Sequence, residues 1–316
     1  MDYVLNLFFL VLGFALLIKG ADFFVDGSSS IAKIMKIPTV IIGLTIVSIG
    51  TSLPEAAVSI TASLQGNYDL SIANVVGSNI FNLLGVVGAS AVICPFLIDR
   101  MIMKRDFPIC IGVSVVLAVM LMDSYLSRME SIILFVLFIA YIVMLVRSAL
   151  KNREEASEDY EVLSPAKSLV YIALGIAGII AGGNLTVNSA TFFAQALGMS
   201  ELLIGLTIVA VGTSLPELVT SVVAARKGES EIALGNVVGS NIFNILFILG
   251  MSGIVHPLTC DIGALIDTVL LIGVCLIMYF VCITDKKASR TEGYVCILLY
   301  ILYVIYAVLR AYNIFF

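Results

Sequence analysis

GLTIVSIGTSLPE (43–55) and GLTIVAVGTSLPE (205–217) are near-copies of one stretch, and reading them together decides the fold. They sit in a longer self-similarity: Gly43 to Leu84 aligns without a gap on Gly205 to Leu246, at a constant offset of 162 residues. Within it NVVGSNIFN (74–82) recurs letter for letter at 236–244. Self-similarity at a fixed period marks a duplicated structural unit, so the chain reads as two homologous halves.

Both halves are made for lipid. Of the 316 residues 60% are hydrophobic, mean hydropathy is +1.12, and 12% are charged, against about 25% in soluble domains. Such a composition excludes a water-soluble core and a nucleic-acid-binding surface. Apolar runs of about 20 residues, enough for a helix to cross a bilayer, fall at 3–25, 39–64, 70–95, 107–123, 130–149, 166–190, 201–225, 231–255, 262–284 and 292–313. The expectation is an all-α polytopic membrane protein of ten transmembrane helices. The first run reads as retained and not as a signal peptide: Asp2 stands in place of a basic leader, and Lys19 and Asp22 follow without a small-residue cleavage site.

Lys and Arg accumulate in loops that stay in the cytoplasm. With the N-terminus outside, ten helices put all of the 17 basic residues except Arg128 and Arg310 on the cytoplasmic side. This orientation suits an integral plasma-membrane protein with both termini outside. The first repeat (about 39–95) follows one helix and the second (about 201–255) follows six, so the copies enter the membrane from opposite faces. Two inverted five-helix halves, 1–150 and 166–316, would then be joined by a charged cytoplasmic linker at 151–165. Inverted repeats are an architecture of secondary transporters, whose site lies at the midplane between the copies.

The chemistry concentrates in the repeats. Glu55 and Glu217 lie deep in apolar spans, where a carboxylate costs roughly 3 kcal/mol on insertion scales and faces an ion path or a partner. Thr51 and Ser52 precede the first at helical spacing, Thr213 and Ser214 the second. Pro54 and Pro216 lack an amide hydrogen and free backbone carbonyls around Gly50 and Gly212, with those of Ser48 and Ala210 one turn before. The next helix of each repeat adds Ser78 and Asn82, or Ser240 and Asn244, four residues apart and on one face. Carboxylates, hydroxyls, amides and carbonyls form an all-oxygen set that suits calcium or sodium and not zinc or copper. Two ionised glutamates are balanced by one calcium or two sodium ions, so further sodium would make the exchange electrogenic.

Other residues carry less. Cys94, Cys110, Cys260, Cys275, Cys282 and Cys296 lack metal-ligand spacing and read as small buried hydrophobes. His256 reads as a helix-end residue, and the NLT sequon at Asn184 falls inside a span. Glu154, Glu155, Glu158, Asp159 and Glu161 read as a solvated linker face.

The paired GTSLPE and GSNIFN segments closely resemble the two α-repeats of the cation/calcium antiporter superfamily, and within it the sodium/calcium exchangers. The close resemblance covers about 80 residues. It implies that Glu55 and Glu217 bind calcium with the carbonyls of Thr51 and Thr213. Ser52, Ser78, Ser214, Ser240 and the carbonyls of Ser48 and Ala210 would help bind sodium, and Asn82 and Asn244 would line the central position. It further implies that the first and sixth helices, rich in glycine (Gly13, Gly20, Gly27; Gly175, Gly178, Gly182, Gly183), slide to gate access. Potassium-cotransporting relatives, and some prokaryotic ones, carry Asp where this chain has Asn244, which lowers the expectation of potassium dependence. The short linker leaves no room for the regulatory region of animal members, so the expectation is a minimal prokaryotic exchanger without a cofactor. Competing readings are a calcium/proton or potassium-dependent antiporter, a passive cation channel, and an intramembrane hydrolase. The sequence carries no signal for oligomeric state.

Overall fold

The computed structural model describes residues 2–151, 163–199, 201–204, 207–208, 210–285 and 287–312. Nearly all of them are helical: α1 (Asp2–Met35), α2 (Thr39–Thr51), α3 (Leu53–Leu64), α4 (Tyr68–Ile93), α5 (Ile102–Asp123), α6 (Arg128–Lys151), α7 (Pro165–Ala196), α8 (Glu201–Ile204), α9 (Ala210–Thr213), α10 (Leu215–Arg226), α11 (Ser230–Val255), α12 (Ile262–Asp285) and α13 (Arg290–Ala311). Among the described residues eight helices are long and apolar enough to cross a bilayer, and α2 with α3, bent by 50° at their junction, make a ninth if the pair counts as one span. The expected span at 201–225 corresponds to α8 through α10 and includes residues outside those described. Most of the expected linker, 152–162, also lies outside them.

The 162-residue offset carries far beyond the repeats. Ser127 and Glu130 bond reciprocally at the start of α6, backbone N–H to side-chain oxygen in each direction at 2.8 and 3.2 Å. Ser289 and Glu292 form the same capping box at the start of α13. Left-handed backbone ends α1 at Lys36 (φ 55°) and α7 at Gly198 (φ 79°), and turns the chain at Gly66 (φ 82°) and Gly228 (φ 79°).

Two features go beyond the expected spans. The helices of the first and sixth spans run past 25 and 190: α1 has 34 residues and α7 has 32, about 51 and 48 Å at ~1.5 Å per residue, against ~30 Å of hydrocarbon. Hydropathy falls where Asp26 and the serines begin, but Ser28, Ser29 and Ser30 are buried against protein, so the helix continues. The chain is also not wholly helical. Phe96–Leu97 pairs antiparallel with Lys287–Ala288, and Tyr125–Leu126 with Leu258–Thr259. These short bridges satisfy backbone groups between helices, and the offset converts one pairing into the other.

α1 and α7 run antiparallel in backbone contact. A Cβ placed on Gly13 would lie 2.9 Å from the Gly182 carbonyl oxygen, on Gly20 2.9 Å from that of Gly175, and on Gly27 2.7 Å from that of Ser168. The contacts advance by seven on one helix and retreat by seven on the other, a close crossing that only small residues allow. The core lies elsewhere: the apolar windows of α4 and α11 are 78% and 94% buried, against 6% for α13. α4 and α11 are therefore the central pair. Five cysteines are buried, Cys94 is partly so, and all are free thiols. His256 ends α11 and stacks on Tyr68 with ring centroids 4.5 Å apart.

Candidate functional site: two broken helices and a ring of amides

The helix of each GTSLPE segment breaks at its serine. Ser52 (φ −84°, ψ 9°) separates α2 from α3, and Ser214 (φ −93°, ψ 8°) separates α9 from α10. Pro54 and Pro216 then occupy the first turn of the new helix, where a missing N–H is tolerated, and have no hydrogen to give to the carbonyls four residues back. Glu55 and Glu217 also stand in that first turn, where the helix dipole favours an anion.

The two carboxylates are held from opposite copies of the motif. Ser52 Oγ donates to Glu217 Oε1 at 2.7 Å, and Ser214 Oγ donates to Glu55 Oε1 at 2.9 Å. All four residues are fully buried. Oε2 of each glutamate has no hydrogen-bond partner among the described residues. A buried carboxylate with an unmatched oxygen is expensive unless a cation meets it.

A second layer is made of asparagines on α4 and α11. Asn79 Nδ2 donates to the Asn241 backbone carbonyl and Asn241 Nδ2 to that of Asn79, both at 3.1 Å. A backbone carbonyl can only accept, so these bonds fix which amide atom is which. Oδ1 of Asn79 is left facing Asn244, and Oδ1 of Asn241 facing Asn82. Accordingly Asn244 Nδ2 donates to Asn79 Oδ1 at 3.0 Å, and Asn82 Nδ2 to Asn241 Oδ1 at 3.1 Å. The outcome is forced: Asn82 and Asn244 present their Oδ1 atoms, both buried and without a partner. The helix widens to π geometry at these residues, over Asn82–Val86 and Asn244–Leu249, a distortion common at functional sites.

The remaining expected residues divide by side. Ser78 is buried with an unpartnered Oγ, and Ser240 Oγ donates to the Ser48 carbonyl at 3.4 Å, so Ser48 and Ser240 meet. Thr51 is buried and donates to Asn236 Oδ1 at 3.0 Å. Thr213 differs: it is part-buried, donates to the Ala210 carbonyl at 3.4 Å, and lines a cavity of about 450 Å³ with Pro54, Ala57, Asn184, Asn188 and Pro216. Gly239 packs closely on α2, where a Cβ would meet Leu44 Cα at 2.8 Å. The two sides of the site are thus unequal, tight along α2 and open by Thr213.

Reading residues by type missed Asn79 and Asn241, and also Asn74 and Asn236. Asn74 Nδ2 reaches the Glu55 carbonyl (3.4 Å) and Ser59 Oγ (2.9 Å); Asn236 Nδ2 reaches the Glu217 carbonyl (3.3 Å) and Ser221 Oγ (2.9 Å). The one available signal was their place inside the verbatim repeat NVVGSNIFN. Among the described residues no group of three or more His, Cys, Asp and Glu gathers, so the site's charge comes from two glutamates and its other donors are neutral oxygens.

The sodium/calcium exchanger protein family matches residues 5–147 and 167–309. This chain belongs to that family. It is 36% identical to the sodium/calcium exchanger MaX1 of Methanosarcina acetivorans over 341 residues, covering 95% of this chain and 97% of the relative. To CaxA of Alkalimonas amylolytica it is 40% identical over 302 residues, 92% and 94% of the two chains. The structure of the sodium-calcium exchanger NCX_Mj soaked with 2.5 mM Na+ and 10 mM Sr2+ matches with TM-score 0.84 at 34% identity, covering 96% of this chain and 99% of that one. The exchanger-family chain is therefore an integral membrane transporter and not an enzyme, of the minimal prokaryotic kind.

Proposed function

We propose that this exchanger carries calcium against sodium across the plasma membrane by alternating access between two inverted five-helix halves. The observation that carries the reading is the pair of fully buried glutamates, each tied by one oxygen to a serine of the other repeat and presenting the other oxygen unpartnered. Calcium takes six to eight oxygens at roughly 2.3–2.6 Å. Glu55 and Glu217 supply its charge, with the carbonyls of Thr51 and Thr213 and the free Oδ1 atoms of Asn82 and Asn244 around them. Sodium uses the same carboxylates with Ser52, Ser78, Ser214, Ser240 and the carbonyls of Ser48 and Ala210. A third sodium would exceed the two negative charges, so transport is electrogenic.

The cavity beside Thr213 supports access from the outer face, between α3 and α7, and the close α1–α7 contact supports their moving as one body. The E. coli relative YrbG, 38% identical over 257 residues, is named an inner membrane protein, which agrees with a plasma-membrane location; the distribution of Lys and Arg favours both termini outside. Proteoliposomes loaded with sodium, potassium or acid in turn test the coupling. Calcium uptake accompanied by current should appear with a sodium gradient alone. Uptake driven equally by protons or requiring potassium would move the chain to another branch of the superfamily, and uptake down the calcium gradient without any counter-ion gradient would make it a channel.

A further inference from the structure

The stretch from Lys227 to Glu231, which leads from α10 into the first turn of α11, is tied to α1 and, through Glu231, to Thr39 and Val40 at the start of α2. Lys227 Nζ lies 2.8 Å from Asp26 Oδ1 and 3.4 Å from Asp22 Oδ1, and donates to the Asp22 carbonyl at 3.1 Å. Two residues on, Glu229 Oε1 accepts from Ser29 Oγ at 2.5 Å and Lys33 Nζ at 3.4 Å. This end is the one the distribution of Lys and Arg places in the cytoplasm.

The repeat offset names the counterpart of each group at the opposite end. Lys227 corresponds to Gln65, Asp22 to Asn184, Asp26 to Asn188, Glu229 to Asn67 and Lys33 to Gln195. The correspondence holds where it can be checked, at the left-handed residues Gly66 and Gly228 and at the glycines Gly13 and Gly175, Gly20 and Gly182. Lys227, Asp22, Asp26, Glu229 and Lys33 are thus each exchanged for a neutral residue, the aspartates for their amides, whereas Glu231, which accepts from Thr39 and the Val40 amide, keeps a charged counterpart in Asp69. Among the described residues the side chains of Gln65, Asn184 and Asn188 make no hydrogen bond, and Asn184 and Asn188 line the cavity beside Thr213.

We infer that Lys227, Asp22 and Asp26 form a charged latch holding α1 closed over the cytoplasmic end, and that its uncharged counterpart makes closure of the outer end weaker, so the transporter rests with its outer cavity open. The inference rests on the alternating-access reading: when one end opens, the same elements close the other, and the counterparts must meet. An ion pair at a watery margin is worth little alone. Here the difference between two ends is what counts, and two such pairs against amide contacts bias the population roughly 3- to 10-fold. A bias of that size raises the apparent calcium affinity at the outer face and lowers it at the cytoplasmic face by the same linkage.

The test makes the ends alike. In a Lys227→Gln, Asp22→Asn, Asp26→Asn variant, reconstituted in known orientation, the ratio of half-saturating calcium at the inner face to that at the outer face should fall roughly 3- to 10-fold. The reciprocal variant, Gln65→Lys, Asn184→Asp, Asn188→Asp, should shift the ratio the same way by stabilising outer closure, and it remains informative if the first triple does not fold. An Ala57→Cys reporter in the outer cavity, reacted with an impermeant maleimide without calcium or sodium gradients, should label more slowly in either background. Unmoved ratios and labelling rates in both variants overturn the latch. Sodium-driven calcium flux missing from the unsubstituted protein would instead overturn the exchange reading, and the labelling arm would still judge the latch.

Discussion

Ser52 donates its hydroxyl hydrogen to Glu217 at 2.7 Å, across 165 residues of sequence, and so joins the break in one repeat to the acid of the other. The reciprocal bond from Ser214 to Glu55 makes the two carboxylates one unit, positioned by both copies of the motif at once. A substitution on either side should therefore disturb both acids.

Ser52→Ala removes one charge-assisted bond, worth about 1.5–3 kcal/mol when buried. Apparent affinity for calcium should fall roughly 10- to 100-fold in reconstituted vesicles, with Ser214→Ala close behind. If only thermal stability drops while half-saturation holds, the serines are structural and not part of ion binding.

Asn79 touches no expected ligand oxygen, yet it turns Asn244 so that Oδ1 is presented. Asn79→Ala should weaken sodium and calcium binding by about tenfold, and Asn244→Ala added on top should cost much less than it does alone, with a coupling of about 1 kcal/mol or more. Additive losses in that double-mutant cycle would separate the two residues and remove the ring from the account. Asn244→Asp should also disturb the ring, since a carboxylate oxygen would face Asn79 Oδ1, acceptor against acceptor.

The α1–α7 contact makes a prediction by geometry. Gly20→Leu must displace the Ile179 amide and the Gly175 carbonyl, both within 3.0 Å of the added Cβ, and should reduce calcium uptake more than tenfold. A reducible cross-link between Tyr3→Cys and Phe192→Cys, at positions on α1 and α7 whose rings lie 5.4 Å apart, joins two members of one moving body and should leave transport running. One between Ala57→Cys and Asn184→Cys bridges α3 to α7 and should stop it until reductant is added. Equal flux before and after reduction in the second pair would show that α7 does not move against α3.

Much of this was legible in the residues. A carboxylate in an apolar run, hydroxyls at helical spacing and a proline mark Glu55 and Glu217 without a structure, because a charge buried at that depth is too costly to persist without a cation or a partner. The asparagine ring was not legible. Asn79 and Asn241 carry the same letters as their neighbours, and their role depends on a backbone carbonyl that arrives from a helix 162 residues away. The ends of α1 and α7 were hidden for a related reason. Hydropathy measures contact with lipid, whereas Ser28 to Ser30 stay helical by contact with protein. The inequality of the two sides, with Thr51 bonded to Asn236 and Thr213 lining a cavity, is invisible to any comparison of near-identical motifs.

Calcium titration of the purified protein, measured calorimetrically at stepped sodium concentrations, bears most directly on the claim that the paired glutamates hold the transported ion. The unsubstituted chain should bind one calcium, with sodium displacing it cooperatively; Glu55→Gln or Glu217→Gln alone should abolish the binding heat. Undiminished calcium binding in the Glu55→Gln, Glu217→Gln double variant would contradict the account at its centre.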